Sequence, residues 1–360
     1  MHKLAIARVD FPILLTAVII VILSLAAFYS IDISIFRQQL IFLIVSLAGY
    51  LIFLNIDYKV FGIYSKYVYF MIIVSLISLF LIGLEARGAV RWIDVFGIRI
   101  QFSEIIKPFF IIFLASYLIS NSSHSFGKFL KAILLISPVF FLILVQPDLG
   151  NAMIYAIVSF FMLLLYGFPI RYFLGILGIF LALLPFLFNF LAPYQKQRIL
   201  TFIDPASDPL SSSYNIVQSL ISIGSGGLVG KGFGEGTQSI LKFLPERHTD
   251  FIFATISENL GFLGGLLLIA LYFFLLFRIY RIKSLVHDEF SNLVLMGLYF
   301  LLLVHFFLNV GMNIGIVPIV GVTLPFASYG GSSLLTNFII LGFISSIKFD
   351  FLKSRPLEIR

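Results

Sequence analysis

Between Glu246 and Asp250 the chain places two carboxylates, a guanidinium and an imidazole, carried by Glu246, Arg247, His248 and Asp250. From Phe251 onward it is apolar for the length of a membrane span. A carboxylate at the lip of such a span is costly to hold near hydrocarbon. The chemistry open to a lone carboxylate there is to take a proton from a hydroxyl, which makes Asp250 the candidate general base. The same residues suit a plainer purpose, because Thr249 or Asp250 would cap a helix beginning at Phe251. His248 is placed to ligate an ion or relay a proton, but a single imidazole is a thin ligand set, and it is expected to tune rather than to act.

Other ionisable residues are few and fall at the ends of apolar stretches. Glu104 and Lys107 stand three residues apart, which puts them on one helix face and within reach of each other. Such a pair either neutralises itself at a helix start or supports a site. Asp148, in Gln146-Pro147-Asp148-Leu149-Gly150, occupies a tight reversal that turn chemistry alone would explain. Glu258 follows Asp250 by eight residues and would share its helix face two turns deeper. Asn309 and Asn313 share a face and suit interhelical hydrogen bonding. Arg91, Lys107, Arg198, Arg247 and His248 are candidates to bind a pyrophosphate or another anionic headgroup. A metal enters only as an oxygen-ligated Mg2+ or Mn2+ that keeps its waters, binds substrate phosphates and takes Asp250 as a ligand. With no cysteine in the chain, thiolate metal sites and disulfides are excluded.

These residues sit in a sequence of 360 residues that is 60% hydrophobic and 11% charged, outside the range of soluble domains and within that of polytopic membrane proteins. Apolar stretches of spanning length fall at about 11–30, 36–55, 66–84, 104–120, 127–145, 149–166, 171–193, 251–277, 290–312 and 330–348. The fold class is therefore all-α, one integral-membrane domain over residues 1–360 with ten spans. The first reads as an uncleaved span rather than a signal peptide, because more spans follow. The net charge of +7 is spread over loops and reflects topology rather than nucleic acid. Fourteen Lys and Arg flank the side that holds both termini, against five in the short loops opposite. That asymmetry puts the termini in the cytoplasm, and the 85–103 loop and the long loop of about 193–250, between the seventh and eighth helices, outside. Within the long loop, 214–223 suits an interfacial helix. The glycine-rich run 224–236 lacks a preceding strand and so does not read as a dinucleotide site. It suits either a tight loop that approaches phosphate through its backbone or a flexible turn.

Five blocks then carry a family resemblance. They are Leu244 to Ala254; Arg91-Trp92-Ile93-Asp94 with Gln101 to Lys107; Gln146 to Gly150; Tyr194 to Pro205; and Asn309 to Ser332. In order and spacing, over nearly the whole chain, they resemble the SEDS family (shape, elongation, division and sporulation). Arg247 is similar to the elongation, RodA-like branch, where the division branch usually has a small residue. Phe102 departs from a common proline, and Asn259 from a usual second acidic residue after Glu258. The resemblance implies a ten-span fold and peptidoglycan glycosyltransferase activity on lipid II, with release of undecaprenyl pyrophosphate and no nucleotide cofactor. It implies a class B penicillin-binding protein as partner, with elongation proteins such as MreC and MreD as neighbours, at the bacterial cytoplasmic membrane. By residue, it implies that Asp250 is the essential extracytoplasmic carboxylate and that Glu104 and Lys107 are its functional ion pair.

Two other readings stay open. A lipid II flippase would want polar groups along the full membrane depth, whereas here the ionisable residues gather toward one face. A scaffold that only positions a transpeptidase would have no need of Asp250.

Overall fold

In the computed structural model the described residues are 8–86, 89–95, 98–190, 196 and 213–353. Aspartates start several of the helices. Asp10 accepts from the backbone N–H of Ile13 at the head of α1 (Phe11–Ile31), and Asp32 from Ser34 at the head of α2 (Ile33–Asn55). After the short α3 (Tyr58–Ile63) come α4 (Ser65–Ile82), three strands, α5 (Phe102–Ile105), α6 (Lys107–Ile119) and α7 (Phe126–Val145). Asp148 caps α8 (Leu149–Tyr166) through Asn151, and Gly167, at φ 96°, ends it in the left-handed conformation that glycine favours. The chain continues through α9 (Ile170–Phe190), α10 (Tyr214–Ser225), α11 (Thr237–Ile240), α12 (Ile252–Ile282), α13 (Glu289–Asn313) and α14 (Gly331–Lys353).

Helices thus stand on every apolar segment read from the sequence. Among the described residues seven are long and apolar enough to cross a membrane, and α4, α6 and α9 contribute shorter apolar helices. The helix expected over 214–223 is α10. Much of the long loop, including Arg198, lies outside the described residues. The 84–100 stretch adds a feature the all-α reading lacked. It is a small antiparallel sheet of β1 (Leu84–Ala86), β2 (Ala89–Val95) and β3 (Ile98–Ile100), with Leu84 opposite Trp92 and Ile93 opposite Ile100.

The best-buried helices, α13 and α14, form the centre. Helix α14 lies tight against α2: a Cβ on Gly342 would come within 3.0 Å of the Tyr50 carbonyl, and one on Gly49 within 2.7 Å of Leu335. At one end of the bundle Asp10 is fully covered, 2.6 Å from Lys348 and 3.7 Å from Arg278, which ties α1, α12 and α14 together. The residues singled out for chemistry lie at the other end.

Helix α12 is broken. Gly261 has φ 69° and ψ −165°, and the freed amides of Phe262 and Leu263 donate to the carbonyls of Gly227 and Leu228 at 2.8 and 3.1 Å. The glycine-rich run is the plug for this break. A Cβ on Gly230 would meet the Asn259 carbonyl at 2.1 Å, so glycine is required where the two backbones meet. Glu258 does not line up with Asp250 on a helix face, because Asp250 precedes the helix. It is buried and accepts from the amides of Gln238 and Ser239 at 2.8 and 2.9 Å, with Lys231 at 3.6 Å. Its role is to hold the plug.

Candidate active site

Asp250 lies in a turn just ahead of α12, and neither it nor Thr249 caps the helix. The cap position is Phe251, whose side chain makes no capping hydrogen bond. The capping is done from α13, where Asn313 Oδ1 accepts from the amide of Ala254 at 3.1 Å. The amide groups of Asn309 and Asn313 both donate to the backbone carbonyl of Asp250, at 2.9 and 3.0 Å. Asn309 also donates to the carbonyl of Val322 at 2.7 Å. Both asparagines are fully buried, so the turn is held by satisfied polar groups rather than by a flexible loop. The turn is further stitched to the 324–329 segment. Ser328 Oγ donates to the Thr249 carbonyl at 2.6 Å and the Tyr329 amide to the His248 carbonyl at 2.8 Å. The His248 and Tyr329 rings meet edge-on at 5.5 Å. The carboxylate of Asp250 faces the chain at Gly321, where a Cβ would stand 3.5 Å from Oδ2 and φ is +69°.

Glu104 and Lys107 do pair, at 2.6 Å, across the break between α5 and α6. Both are buried, at 6% and 2% exposure, rather than open to solvent. Lys107 has a second partner, His305 of α13, with Nζ and Nε2 2.9 Å apart.

Asp148 is more than a turn residue. It is buried, and one oxygen accepts from Gln101 at 2.7 Å and from Asn151 at 2.8 Å, with Ser103 at 3.4 Å. Arg91 is drawn to this carboxylate, 3.8 Å away, which places the β2 guanidinium beside the α8 N-terminus. Gly150 lies against the Val320 carbonyl, where a Cβ would come within 2.4 Å, so this cluster and the Asp250 turn share the 314–330 segment as a wall.

Arg247 turns toward the other side. Its carbonyl accepts from Thr255 Oγ1 at 2.9 Å. Burial pulls the guanidinium pKa down, and the neighbouring carboxylates of Asp32 and Glu246 oppose that shift. Asp32 is itself held below the usual carboxylate range by the hydroxyl and amide of Ser34.

The structure therefore joins Asp250, the Glu104–Lys107 pair and Arg91 through one wall, while Arg247 points to the α1–α2 turn. Sequence reasoning passed over His305 and the Asp148 cluster. The signal for His305 was present, because His305, Asn309 and Asn313 recur every four residues along one face of an otherwise apolar helix.

Among the described residues no three His, Cys, Asp or Glu side chains come together as a metal site. Those residues offer no cage of protein ligands for a metal ion.

Fold and site together define a polytopic membrane protein that gathers buried polar groups around a carboxylate at one end of its helix bundle. The chain belongs to the FtsW–RodA–SpoVE family, whose model, described as "Cell cycle protein", matches residues 3–351. It is 38% identical over 318 residues to the peptidoglycan glycosyltransferase MrdB of Escherichia coli K12, covering 88% of this chain and 86% of that one. It is 34% identical over 351 residues to stage V sporulation protein E of Bacillus subtilis, covering 93% and 94%. Among solved structures, a chain of a peptidoglycan synthase complex superposes with a TM-score of 0.84 at 27% identity, covering 95% of this chain and 98% of that one. RodA of Thermus thermophilus shares the fold, with a TM-score of 0.71 at 24% identity and coverage of 95% and 97%.

Proposed function

We propose that this chain is a peptidoglycan glycosyltransferase of the elongation branch, polymerising lipid II into glycan strands at the outer face of the bacterial cytoplasmic membrane. The observation that carries the reading is the Asp250 turn. Two buried asparagines grip the backbone carbonyl of Asp250 and so fix the turn that carries its carboxylate, at the end of the bundle where the sugars of lipid-anchored substrates must sit.

In the reaction, the 4-hydroxyl oxygen of the acceptor sugar attacks the anomeric carbon of the donor with inversion. The hydroxyl proton passes to Asp250, and the bond from the anomeric carbon to the pyrophosphate oxygen breaks. Undecaprenyl pyrophosphate leaves with that electron pair. Lys107, oriented by Glu104, and Arg91 supply positive charge toward the leaving group, and Arg198, Arg247 and His248 remain candidates for holding the headgroup. Asp250 would offer one oxygen to a divalent ion otherwise held by waters and substrate phosphates.

The polar groups support catalysis at one face over transport. The buried carboxylates and lysines, Asp10 and Lys128 toward one end and Glu104, Lys107, Asp148 and Glu258 toward the other, leave between them buried polar groups that are uncharged, such as Ser46, Ser159 and Ser345. A flippase for a doubly charged pyrophosphate headgroup would want charged partners along the whole path. The partner we infer is a class B penicillin-binding protein, supported by the likeness to a chain from a synthase complex, with MreC and MreD as further neighbours. The test is glycan chain formation from lipid II by the purified full-length chain, alone and with the transpeptidase, resolved on gels. Lipid II left unpolymerised under both conditions would return the scaffold and flippase readings to the front.

A further inference from the structure

His305 is a buried titratable group at this end of the molecule that takes no part in the proposed glycosyl transfer. It is 4% exposed on α13. Its Nε2 lies 2.9 Å from Lys107 Nζ, and its Nδ1 lies 3.1 Å from the carbonyl of Thr323. Facing Glu104 at 2.6 Å, the Lys107 head is an ammonium, and an ammonium only donates. Nε2 is therefore the bare, accepting nitrogen, and Nδ1 carries the hydrogen and donates it to Thr323.

The consequence is positional. A lysine head sits on a flexible four-carbon stem with three rotatable donors. Glu104 comes from the same short stretch of chain as Lys107, so their pairing cannot tie the ammonium to the rest of the site. The imidazole does tie it, because it belongs to another helix and is itself anchored to the wall. One turn further along α13, Asn309 bonds the Val322 carbonyl, next to Thr323, and also the Asp250 carbonyl. Two side chains one turn apart thus grip successive carbonyls of one segment, one serving Lys107 and the other Asp250.

We propose that His305, as its Nδ1–H tautomer, is a positioning residue for glycosyl transfer: it fixes the Lys107 ammonium relative to the Asp250 turn. The proposal rests on the reading of Lys107 as the cation for the departing pyrophosphate. It is specific about which nitrogen matters. Glutamine at this position places an amide oxygen near the site of Nε2, whereas asparagine reaches only as far as Nδ1.

The test compares His305→Gln, His305→Asn, Lys107→Met and the Lys107→Met/His305→Asn double variant, all full-length, in polymerisation of lipid II. His305→Gln is expected to keep kcat within about threefold, and His305→Asn to lose about 10–10²-fold, mainly in kcat rather than KM. The double variant is expected to be no slower than Lys107→Met alone, because the two act through one group. Equal losses in the Gln and Asn variants, or losses that multiply in the double variant, would overturn the proposal in favour of simple packing. A wild-type rate in Lys107→Met would overturn the reading of Lys107 itself. An inactive Lys107→Met beside a fully active His305→Asn would overturn the His305 proposal alone. Nitrogen NMR of 15N-histidine-labelled protein gives a readout independent of activity and of how the Asn variant folds. A bare Nε2 whose shift moves in Lys107→Met is expected, and an Nε2–H tautomer would contradict the assignment.

Discussion

The side-chain amide of Asn309 donates to the backbone carbonyl of Asp250 at 2.9 Å, so the residue given the proton-accepting role is held in place from a different helix. With Asn313 bonding the same carbonyl, α13 sets where the turn ends and α12 begins. Replacing Asn309 by Leu keeps the bulk and removes the donor, leaving the carbonyls of Asp250 and Val322 short of a partner. The expected result is a stability loss of about 1–3 kcal/mol. A shift of the carboxylate by about 1 Å should also lower the polymerisation rate about 10²-fold. Thermal unfolding and product gels on the same sample separate the two effects. A wild-type rate with lowered stability would show that the asparagine is interhelical glue and nothing more.

The buried Glu104–Lys107 pair makes a second prediction. Removing either partner leaves the other charged and buried, at a cost of about 3–5 kcal/mol. Lys107→Ala is expected to cut polymerisation to a residual rate resolved only on long incubation, and Glu104→Ala to come close. Either variant, inserted at normal abundance and polymerising at the wild-type rate, would reduce the pair to a structural element.

Glu258 is expected to matter for stability rather than for chemistry. Glu258→Ala strips the acceptor from the amides of Gln238 and Ser239 and uncovers Lys231. The plug in the α12 break should loosen, at about 1–3 kcal/mol, read as a lower unfolding temperature and faster proteolysis within 226–240. Unchanged proteolysis there would show that the glycine-rich run holds without it.

How much of this was legible follows from the kind of force involved. Each apolar stretch became a helix because a backbone in lipid must satisfy its own hydrogen bonds, so the helix positions could be read directly, although among the described residues seven of them, not ten, have the length and apolar character to span. The aspartate caps at Asp10, Asp32 and Asp148 went unread, although each bonds an amide only two or three residues ahead. What also escaped were contacts between segments far apart in the chain. Nothing near Gly261 says that Gly227 and Leu228 will close its break, and nothing near Asp148 names Gln101 and Arg91 as partners. The capping reading of Asp250 failed because the helix starts one residue later and is capped by Asn313 from α13. The sheet at 84–100 went unread because its strands are short and carry no hairpin signal beyond Gly88 and Gly97.

The charge asymmetry of the loops yields a topological prediction. A reporter fused at Lys283 should read as cytoplasmic, and one inserted near Ser212 as extracytoplasmic. The reverse pattern would place the Asp250 end inside the cell, away from any growing wall.

The most direct measurement is polymerisation of lipid II by Asp250→Asn beside the wild type, each purified full-length with the transpeptidase. The amide keeps the size of the side chain but cannot accept the hydroxyl proton. The variant should fold and bind its partner normally while its rate falls by about 10²–10⁴-fold, the range for a lost general base. Asp250→Glu should recover little, because one methylene moves the carboxylate by about 1 Å. His248→Ala should be milder than either. Glycan product from Asp250→Asn at close to the wild-type rate would contradict the assignment of Asp250 as the base.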